Sequence, residues 1–452
     1  MREHYAARVL TLLFLANLLN FFDRVMPAIV IEDVRIEFGL SDTEIGLIAS
    51  AVTAVYAIAA LPLGRLADRR SRKKIMGYGV AAWSLLTAAT GAAVNLTALV
   101  LIRLGVGIGE ASYAPAANSL IADLYPGERR SRATAVFMLG LPLGLLFAYF
   151  SVGAIVEATG SWRVPFVLAA IPGLLLAALL LRIREPARGA AEDVKVLEQP
   201  VGGLVRRVAS VPTMWWLIVA FLGYNFAAST VNAFTVPLLQ RYFGLSLTSA
   251  SVITGIVIGL TGLLGLTVGG RLADRASRRS RRDRVVLGAA CLAAAVPLSY
   301  FALSVDKESV GTFAAAFALG WLPGYVFYTC CYPAVSDVVE PGLRATAVAL
   351  LFALGYLFGG AAGPLLVGAL SDSFARDAMI AAGAPGLTTE FRGIGLNDAM
   401  VLAVPISLAV AAAAMLLASR TITRDRERML VRMSGVALSA ARIPMRGTQR
   451  RR

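Results

Sequence analysis

Apolar stretches long enough to cross a bilayer recur along this 452-residue chain from one end to the other. A helix needs about 20 apolar residues to span the hydrocarbon core, and a helix satisfies its own backbone groups there. We place twelve spans at roughly 7–31, 44–66, 74–94, 97–122, 132–157, 163–183, 213–240, 247–272, 285–304, 308–335, 345–370 and 398–420. The sequence therefore predicts an all-α membrane protein with twelve transmembrane helices.

The charge distribution predicts how these spans are oriented. The chain is 58% hydrophobic and only 16% charged, with a net charge of +15, whereas a soluble domain is about 25% charged. The basic residues occupy alternate loops at 69–74, 128–132, 184–212 and 275–284, while the loops near 32–33, 95, 306–308 and 371–397 are not strongly basic. This pattern argues against a nucleic-acid partner and predicts that both termini lie in the cytoplasm. We expect the protein to lie in the inner membrane of the cell.

Enzyme chemistry has no support in the sequence. The three cysteines fall inside predicted spans, the single histidine, His4, precedes the first span, and no metal-ligand spacing occurs. No nucleotide-binding loop or nucleophile constellation is present either. We therefore expect a protein that is not an enzyme and that needs neither a metal nor a cofactor. The first span is too long for a signal-peptide core, so we expect it to be retained.

Two sequence patches occur twice and divide the chain into related halves. The motif GRLADR at 64–69 recurs at 270–275, and RATAV at 132–136 recurs at 344–348, at nearly the same offset. Parallel duplication of a six-helix unit is an architecture of secondary transporters. We therefore predict two pseudo-symmetric six-helix bundles at 1–190 and 213–420, a cytoplasmic linker at 191–212 and a basic cytoplasmic tail at 421–452.

Charged residues inside the spans are the first functional candidates, because an unpaired charge at membrane depth costs several kcal/mol. Arg103 and Glu110 are seven residues apart and face the same way on a helix. Asp23 lies about 22 Å along the first span from Arg8, at a depth comparable with Arg103, and Glu110 lies about 10 Å further in. Asp23 and Glu110 are therefore candidate proton-coupling carboxylates, because a buried carboxylate takes up a proton when its arginine leaves. The alternative is a static ion pair that fixes helix packing.

Several motifs resemble a known family. The duplicated GRLADR loop, Arg103 followed by Gly107, and the WRxxF motif at 162–166 resemble signatures of the major facilitator superfamily. The block NFFDR at 20–24 and the block GIGEASYAP at 107–115 resemble the Spinster branch, whose members export or redistribute lysolipids and sphingosine phosphate. The resemblance implies a transporter that works by alternating access, driven by a proton gradient.

The candidate substrate-contact and charge-relay residues follow from these blocks and from the polar positions of later spans. Arg24 is expected either to bind an anionic headgroup or to reach the outer interface, and Arg103 either to hold a substrate phosphate or to act as a counter-ion. The remaining candidates are Asn20, Ser112, Tyr113, Asn225, Asn232, Tyr325 and Tyr328. For the tyrosines, simple packing is the alternative.

The loop motifs supply the candidate gating residues. Their position at the cytoplasmic ends of helices is better suited to latching one half against the other than to contacting substrate, and the resemblance implies this role. The candidates are Asp68, Arg69, Asp274, Arg275, Arg132 and Arg344.

Three functions compete on the sequence alone. The first is a proton-coupled transporter of a lysophospholipid-like or sphingosine-phosphate-like molecule. The second is a drug or metabolite exporter of the same superfamily, and the third is a non-transporting membrane sensor. In each case we expect a monomer in contact with membrane lipids, and the sequence leaves the exact substrate and the direction of transport open.

Overall fold

The protein is described by a computed structural model over residues 2–187, 204–340 and 343–441, and these residues are almost entirely helical. The N-terminal half holds α1 Arg2–Ile29, α2 Ile31–Phe38, α3 Asp42–Arg69, α4 Arg72–Thr90, α5 Leu96–Ala111, α6 Tyr113–Leu124, α7 Gly127–Met138, α8 Gly140–Thr159 and α9 Val164–Arg182. The C-terminal half holds α10 Leu204–Ala209, α11 Pro212–Arg241, α12 Leu247–Thr254, α13 Thr261–Arg279, α14 Arg281–Leu303, α15 Val310–Val338, α16 Arg344–Leu354, α17 Ala362–Ala381 and α18 Thr389–Ala441.

Eleven helices of the described chain are long and apolar enough to cross a membrane. Short breaks divide four of these spans: α5 continues into α6, α7 into α8, α12 into α13 and α16 into α17. Six-residue π-helical turns form two of the breaks, Gly255–Leu260 and Gly355–Gly360. The third predicted span corresponds to α4, which has 19 residues but starts with the sequence Arg72-Lys73-Lys74 and is therefore less apolar than the others. With α4 included, the twelve-helix architecture accounts for every predicted span.

Local sequence signals explain where several helices begin. Ser41 caps α3 and forms a reciprocal capping box with Glu44, which satisfies backbone donors that the first helical turn leaves unpaired. Asn95 accepts a hydrogen bond from the backbone of Ala98 at the start of α5. At the other end of a helix, Gly39 has φ of 67° and terminates α2 in the left-handed conformation.

The predicted end of the chain differs from the observed one. The sequence analysis assigned 371–397 to a loop, but α17 extends to Ala381 and α18 begins at Thr389. Helix α18 also continues through Ala441, well into the segment assigned to the basic tail. The discrepancy arises because polar helical turns outside the bilayer carry no hydrophobic signal, so hydropathy locates only the part of a helix inside lipid.

Large apolar side chains cover much of the outer surface. Leu101 on α5, Phe147 on α8 and Ile171 on α9 are each about 60% exposed, as are Leu319 on α15 and Ile406 on α18. A soluble monomer rarely exposes so much contiguous apolar surface. These side chains therefore form a lipid-facing surface around the bundle.

The two halves meet tightly at the end of the bundle that contains α2, which we call the α2 end. Here the backbones of α3 and α17 approach so closely that a Cβ atom on Gly46 would lie 2.2 Å from the carbonyl oxygen of Pro364. A Cβ atom on Gly368 would likewise lie 2.2 Å from the carbonyl oxygen of Asp42. Glycine at 46 and 368 is therefore required for the closed α2 end.

We call the opposite end, where α3 meets α4 and where residues 183–187 follow α9, the linker end. Several side chains here are exposed, among them Arg65 and Arg69 on α3 and Arg275 on α13. The described structure is therefore closed at the α2 end and presents charged helix ends at the other.

Candidate functional site

A buried ion pair inside the N-terminal half connects α1 to α5. Arg24 donates from Nε to Oε2 of Glu110 at 3.2 Å. The Glu110 side chain is 1% exposed, whereas that of Arg24 is 32% exposed. The Arg24 guanidinium also lies over the ring of Tyr56 on α3, 4.0 Å from its centroid, and it faces Tyr356 of the C-terminal half. Arg24 therefore links a buried carboxylate to the space between the two halves.

This pairing is not the one that the sequence analysis anticipated for Arg24. A side chain adjacent to Asp23 was expected to face a headgroup or the outer interface. Instead it is the counter-ion of Glu110, because α5 runs antiparallel to α1 and places Glu110 at the level of Arg24. Whether Arg24 also contacts substrate remains a prediction.

Asp23 and Arg103 are also buried in the N-terminal half. They are 1% and 3% exposed, respectively, and are electrostatic neighbours of one another and of Glu110. In the described chain, both Asp23 carboxylate oxygens and Nη1 of Arg103 lack a hydrogen-bond partner. The indole of Trp83 on α4 is a hydrogen-bonding neighbour of the Asp23 carboxylate, although the bond lacks ordinary geometry. Buried polar atoms without partners are rare in proteins, and here they cluster around one carboxylate.

Close helix packing brings these groups together. A Cβ atom on Gly109 of α5 would lie 2.9 Å from Cβ of Trp83, and one on Gly107 would lie 3.4 Å from the carbonyl oxygen of Val52 on α3. Small residues allow membrane helices to approach closely. The glycines of the GIGEASYAP block therefore press α5 against α4 on one side and α3 on the other, which places Glu110 and Arg103 in the interior.

The C-terminal half faces the ion pair with aromatic rings. Tyr356 lies in the second π-helical turn and stacks on Phe352 with ring centroids 5.7 Å apart. Phe352 contacts Tyr332 at 5.5 Å, and Tyr332 stacks on Tyr328 at 5.5 Å. These four rings, which we call the aromatic wall, are all half-buried. One side of the space between the halves is therefore charged and the other is aromatic.

Most of the remaining substrate candidates are buried, whereas Asn232 and Tyr328 are half-buried, and most have hydrogen bonds of their own. Tyr113 donates to the carbonyl oxygen of Leu13 at 2.5 Å, and Tyr325 donates to that of Ile258 at 2.8 Å. Three further candidates donate to backbone carbonyl oxygens one turn earlier in the chain: Ser112 Oγ to Gly109, Asn225 Nδ2 to Phe221, and Asn232 Nδ2 to Ala228. Asn20 Nδ2 has no hydrogen-bond partner in the described chain. The roles of the whole set stay predictions.

The candidate gating residues lie at the linker end, as expected from their helix positions. Arg69, Arg132, Asp274 and Arg275 are exposed, and Arg344 is exposed while donating to the carbonyl oxygen of Ser336. The side chain of Asp68 lies outside the described residues. The gating role of this set is a prediction for a conformation in which the linker end is closed.

The sequence analysis missed a charged cluster at the α2 end, which we call the Arg241 latch. Arg241, at the end of α11, bonds Asp42 of α3 through Nη1 at 2.7 and 2.9 Å and Glu32 of α2 through Nε at 2.7 Å. Ser371 of α17 donates to Asp42 Oδ2 at 2.6 Å, and Asp372 accepts from the backbone N–H of Asp42 at 3.0 Å. Each of these bonds to Asp42 or Glu32 joins the two halves.

Electrostatics at the latch favour its charged form. Burial raises the pKa of Glu32, but hydrogen bonds from Arg35 and the charge of Arg241 outweigh burial, so its pKa lies below the usual value. On the exposed flank of α2, hydrogen bonds from Arg163 and Trp162 lower the pKa of Glu37 to about 2. Glu32 and Glu37 therefore stay ionised through the neutral range.

A second unpredicted cluster stabilises the linker end of the N-terminal half. Arg72, at the start of α4, is 1% exposed and pairs with Asp123 of α6 and, at 2.9 Å, with Glu185 after α9. Burial raises the pKa of Glu185, but hydrogen bonds from Ser71 and Arg72 bring it to about 2. In the other half Arg284 pairs with Asp337, which repeats the Arg72–Asp123 contact between the corresponding helices.

Comparisons with known proteins agree with this architecture. The sequence profile of the Major Facilitator Superfamily matches residues 13–364. The human protein spinster homolog 1 is 30% identical over 488 residues, covering 99% of this chain and 88% of that protein. An MFS-type efflux pump of Mycolicibacterium smegmatis (strain ATCC 700084 / mc(2)155) is 29% identical, covering 91% of this chain and 92% of that protein.

A solved structure shares the whole fold. The crystal structure of a bacterial homolog to the human lysosomal transporter Spinster, in an inward-facing and unoccupied conformation, superimposes with a TM-score of 0.82. It is 27% identical in sequence and covers 93% of this chain and 98% of that chain.

The buried intramembrane charges, the two docked halves and these matches define a class of protein. The chain belongs to the Major Facilitator Superfamily, so it is a multi-pass membrane transporter and not an enzyme. Within that superfamily it is of the Spinster type.

Proposed function

We propose that this transporter moves an amphipathic, lipid-like anion and that proton binding at Asp23 and Glu110 drives the movement. The observation that carries the proposal is the exposure difference within the Arg24–Glu110 pair, 32% against 1%. Arg24 is reachable from the space between the halves, whereas its carboxylate partner is not. An anionic headgroup that pairs with Arg24 therefore competes directly with Glu110.

This competition couples substrate to proton. A buried carboxylate that loses its arginine is strongly destabilised as an anion and takes up a proton. Anion binding at Arg24 would thus favour protonation of Glu110, and deprotonation of Glu110 would favour release of the anion. Arg103 is an electrostatic neighbour of both Asp23 and Glu110, so the three side chains form one charged cluster.

The aromatic wall supports an amphipathic substrate. A charged headgroup at Arg24 would leave the rest of the molecule against Tyr328, Tyr332, Phe352 and Tyr356, whose ring faces are apolar and whose hydroxyl groups tolerate water. An acyl or sphingoid chain fits such a surface better than a fully polar metabolite does.

The Arg241 latch and the loop charges support an inward-facing state. The basic loops lie at the linker end, which the positive-inside rule assigns to the cytoplasm. The latch then closes the side facing away from the cytoplasm. We propose that both termini lie in the cytoplasm and that the protein acts as a monomer in the inner membrane. We also propose that the candidate gating residues of the loop motifs form the opposing gate. These residues are Asp68, Arg69, Asp274, Arg275, Arg132 and Arg344.

A drug or metabolite exporter is the second candidate, and the aromatic wall is the observation that favours it. A run of four contacting aromatic rings also suits planar aromatic compounds, and one similar protein is an MFS-type efflux pump. In this reading the Arg24–Glu110 pair would accept an anionic or zwitterionic compound that has no long chain.

Proteoliposome transport under an imposed pH gradient separates these functions. A labelled lysolipid and a generic dye are followed with the wild type, Asp23→Asn and Glu110→Gln. Asp306→Asn, which removes an exposed carboxylate outside the spans, is the matched control. We expect gradient-driven lysolipid transport in the wild type and in Asp306→Asn, and its loss in both buried variants. Dye transport alone would favour the exporter, and equal lysolipid movement in Asp23→Asn and wild type would refute proton coupling at Asp23.

A further inference from the structure

Trp83 is a fully buried side chain whose position is hard to explain by packing alone. It is 0% exposed on α4 and packs edge-to-face on Tyr113, with ring centroids 5.7 Å apart. Its Nε1 atom has no hydrogen-bond partner of ordinary geometry in the described chain. An indole N–H can only donate, and burying it without an acceptor is unfavourable. The acceptor beside it is the Asp23 carboxylate.

The two groups are mutually unsatisfied. Neither Asp23 oxygen has a partner in the described residues, and Asp23 is itself 1% exposed. The backbone of Trp83 cannot withdraw, because Gly109 of α5 packs directly against its Cβ and backbone nitrogen. The unpaired indole N–H and the unpaired carboxylate are therefore neighbours in a tightly packed interior.

We propose that Trp83 is a positioning residue for the coupling carboxylate. Its indole N–H donates to ionised Asp23, and the Asp23 anion is less stable when this hydrogen bond is absent. The effect of Trp83 on transport rests on the proton-coupling role proposed above for Asp23. The hydrogen bond itself does not depend on that role. A bond to a charged acceptor is stronger than one to a neutral acceptor, so the indole favours the ionised carboxylate over the protonated form.

Other groups also face Asp23 and set the background for this effect. From α5 these are Arg103, which stabilises the anion, and Glu110, which opposes it. On its own helix, the adjacent Arg24 is engaged with Glu110. The Tyr113 ring packs against Trp83, and its hydroxyl is occupied by the carbonyl oxygen of Leu13. Among these neighbours of Asp23 in the described chain, Trp83 therefore differs in offering an uncharged N–H hydrogen-bond donor.

The experiment measures the titration of Asp23 directly, by infrared spectroscopy of the protonated carboxyl C=O stretch in the full-length protein in lipid. The band is assigned by its loss in Asp23→Asn. Trp83→Phe removes the indole N–H. Trp321→Phe is the matched control, because Trp321 is also buried, at 1% exposure, and also lacks a partner for Nε1 in the described chain, but it lies in the C-terminal half.

We expect Trp83→Phe to raise the titration midpoint of Asp23 by about one pH unit, which is tenfold in proton affinity. We expect Trp321→Phe to leave the midpoint where it is in the wild type. An unchanged midpoint in Trp83→Phe would overturn the proposal. If Trp83→Phe does not fold, benzothienylalanine at position 83 replaces it, because that residue keeps the ring shape and exchanges N–H for sulfur.

Transport measured in parallel separates this proposal from the proposed function. A midpoint that shifts in Trp83→Phe while wild-type transport ignores pH would refute proton coupling and support the hydrogen bond. A midpoint that stays fixed while wild-type transport follows the pH gradient would refute the role of Trp83 and leave proton coupling intact.

Discussion

Removing Arg241 should open the α2 end. The Arg241 side chain is fully buried, and its partners Asp42 and Glu32 are 1% and 7% exposed. In Arg241→Gln both carboxylates remain buried without a cation as long as the α2 end is closed, whereas water reaches them when it opens. Breaking a buried ion pair in this way costs about 3–5 kcal/mol. The equilibrium between the closed and the open state should therefore shift toward the open state by about 10²- to 10⁴-fold.

Spin labels across the α2 end measure this change. Ile36 on α2 and Ile380 on α17 are 66% and 70% exposed and belong to different halves, so cysteines there accept labels without disturbing the interior. The native cysteines at 291, 330 and 331 are first replaced. We expect the double electron–electron resonance distance distribution to be short in the parent and to shift to long distances in Arg241→Gln.

Two further variants test the electrostatic reasoning. Arg163→Gln breaks the Arg163–Glu37 pair at the same end, but both of its residues belong to the N-terminal half and both side chains are at least 33% exposed. Such pairs contribute at most about 1 kcal/mol, so the distribution should not change. Adding Asp42→Asn to Arg241→Gln removes a stranded charge and should restore part of the short-distance population. Overlapping distributions for the parent and Arg241→Gln would refute the latch.

Three other predictions address packing, ion pairing and substrate contact. Gly46→Val should also open the α2 end in the spin-label assay, because a Cβ there would lie 2.2 Å from the carbonyl oxygen of Pro364, whereas Gly311→Val, where the surroundings are open, should not. Glu185→Gln should lower the melting temperature at pH 5–8, and the difference from wild type should disappear as the pH falls toward 2, because a carboxylate with a depressed pKa of about 2 loses its stabilising effect only when it is protonated in the folded state; an equal difference at every pH would contradict this. Tyr356→Ala should raise the substrate KM by up to about tenfold with little change in maximal rate, and an unchanged KM in transport assays would exclude the aromatic wall from the binding site.

The features that the sequence predicted are those with a local or periodic signal. Membrane-length apolar runs located the spans, and the repeated GRLADR and RATAV motifs revealed the duplication before any contact was known. Charges inside spans singled out Asp23, Arg103 and Glu110, because bilayer energetics make such residues conspicuous. Their grouping in one half followed from their positions in the first and fourth predicted spans.

The features that the sequence did not reveal depend on how the halves dock. Arg241 and Glu32 are 209 positions apart, and each lies next to a predicted loop, where a charged residue attracts no attention. Only the docking of α11 against α2 and α3 turns them into a buried cluster. Trp83 was missed for a related reason, since a tryptophan in an apolar span is normally a packing residue and its neighbour Asp23 comes from another helix.

The two charge clusters place a quantitative demand on the transport cycle. A proton moving down a gradient of one pH unit supplies about 1.4 kcal/mol, whereas removing one charged partner from a buried ion pair such as the Arg241 latch costs about 3–5 kcal/mol. Protonation of one carboxylate therefore cannot open the α2 end by itself. Contacts formed at the linker end in the opposite conformation must offset most of the latch, so that the two closed states are nearly equal in free energy and a small proton-dependent term decides between them. The duplicated loop motifs, whose residues Arg69, Asp274 and Arg275 are exposed in the conformation described here, are placed to supply those contacts.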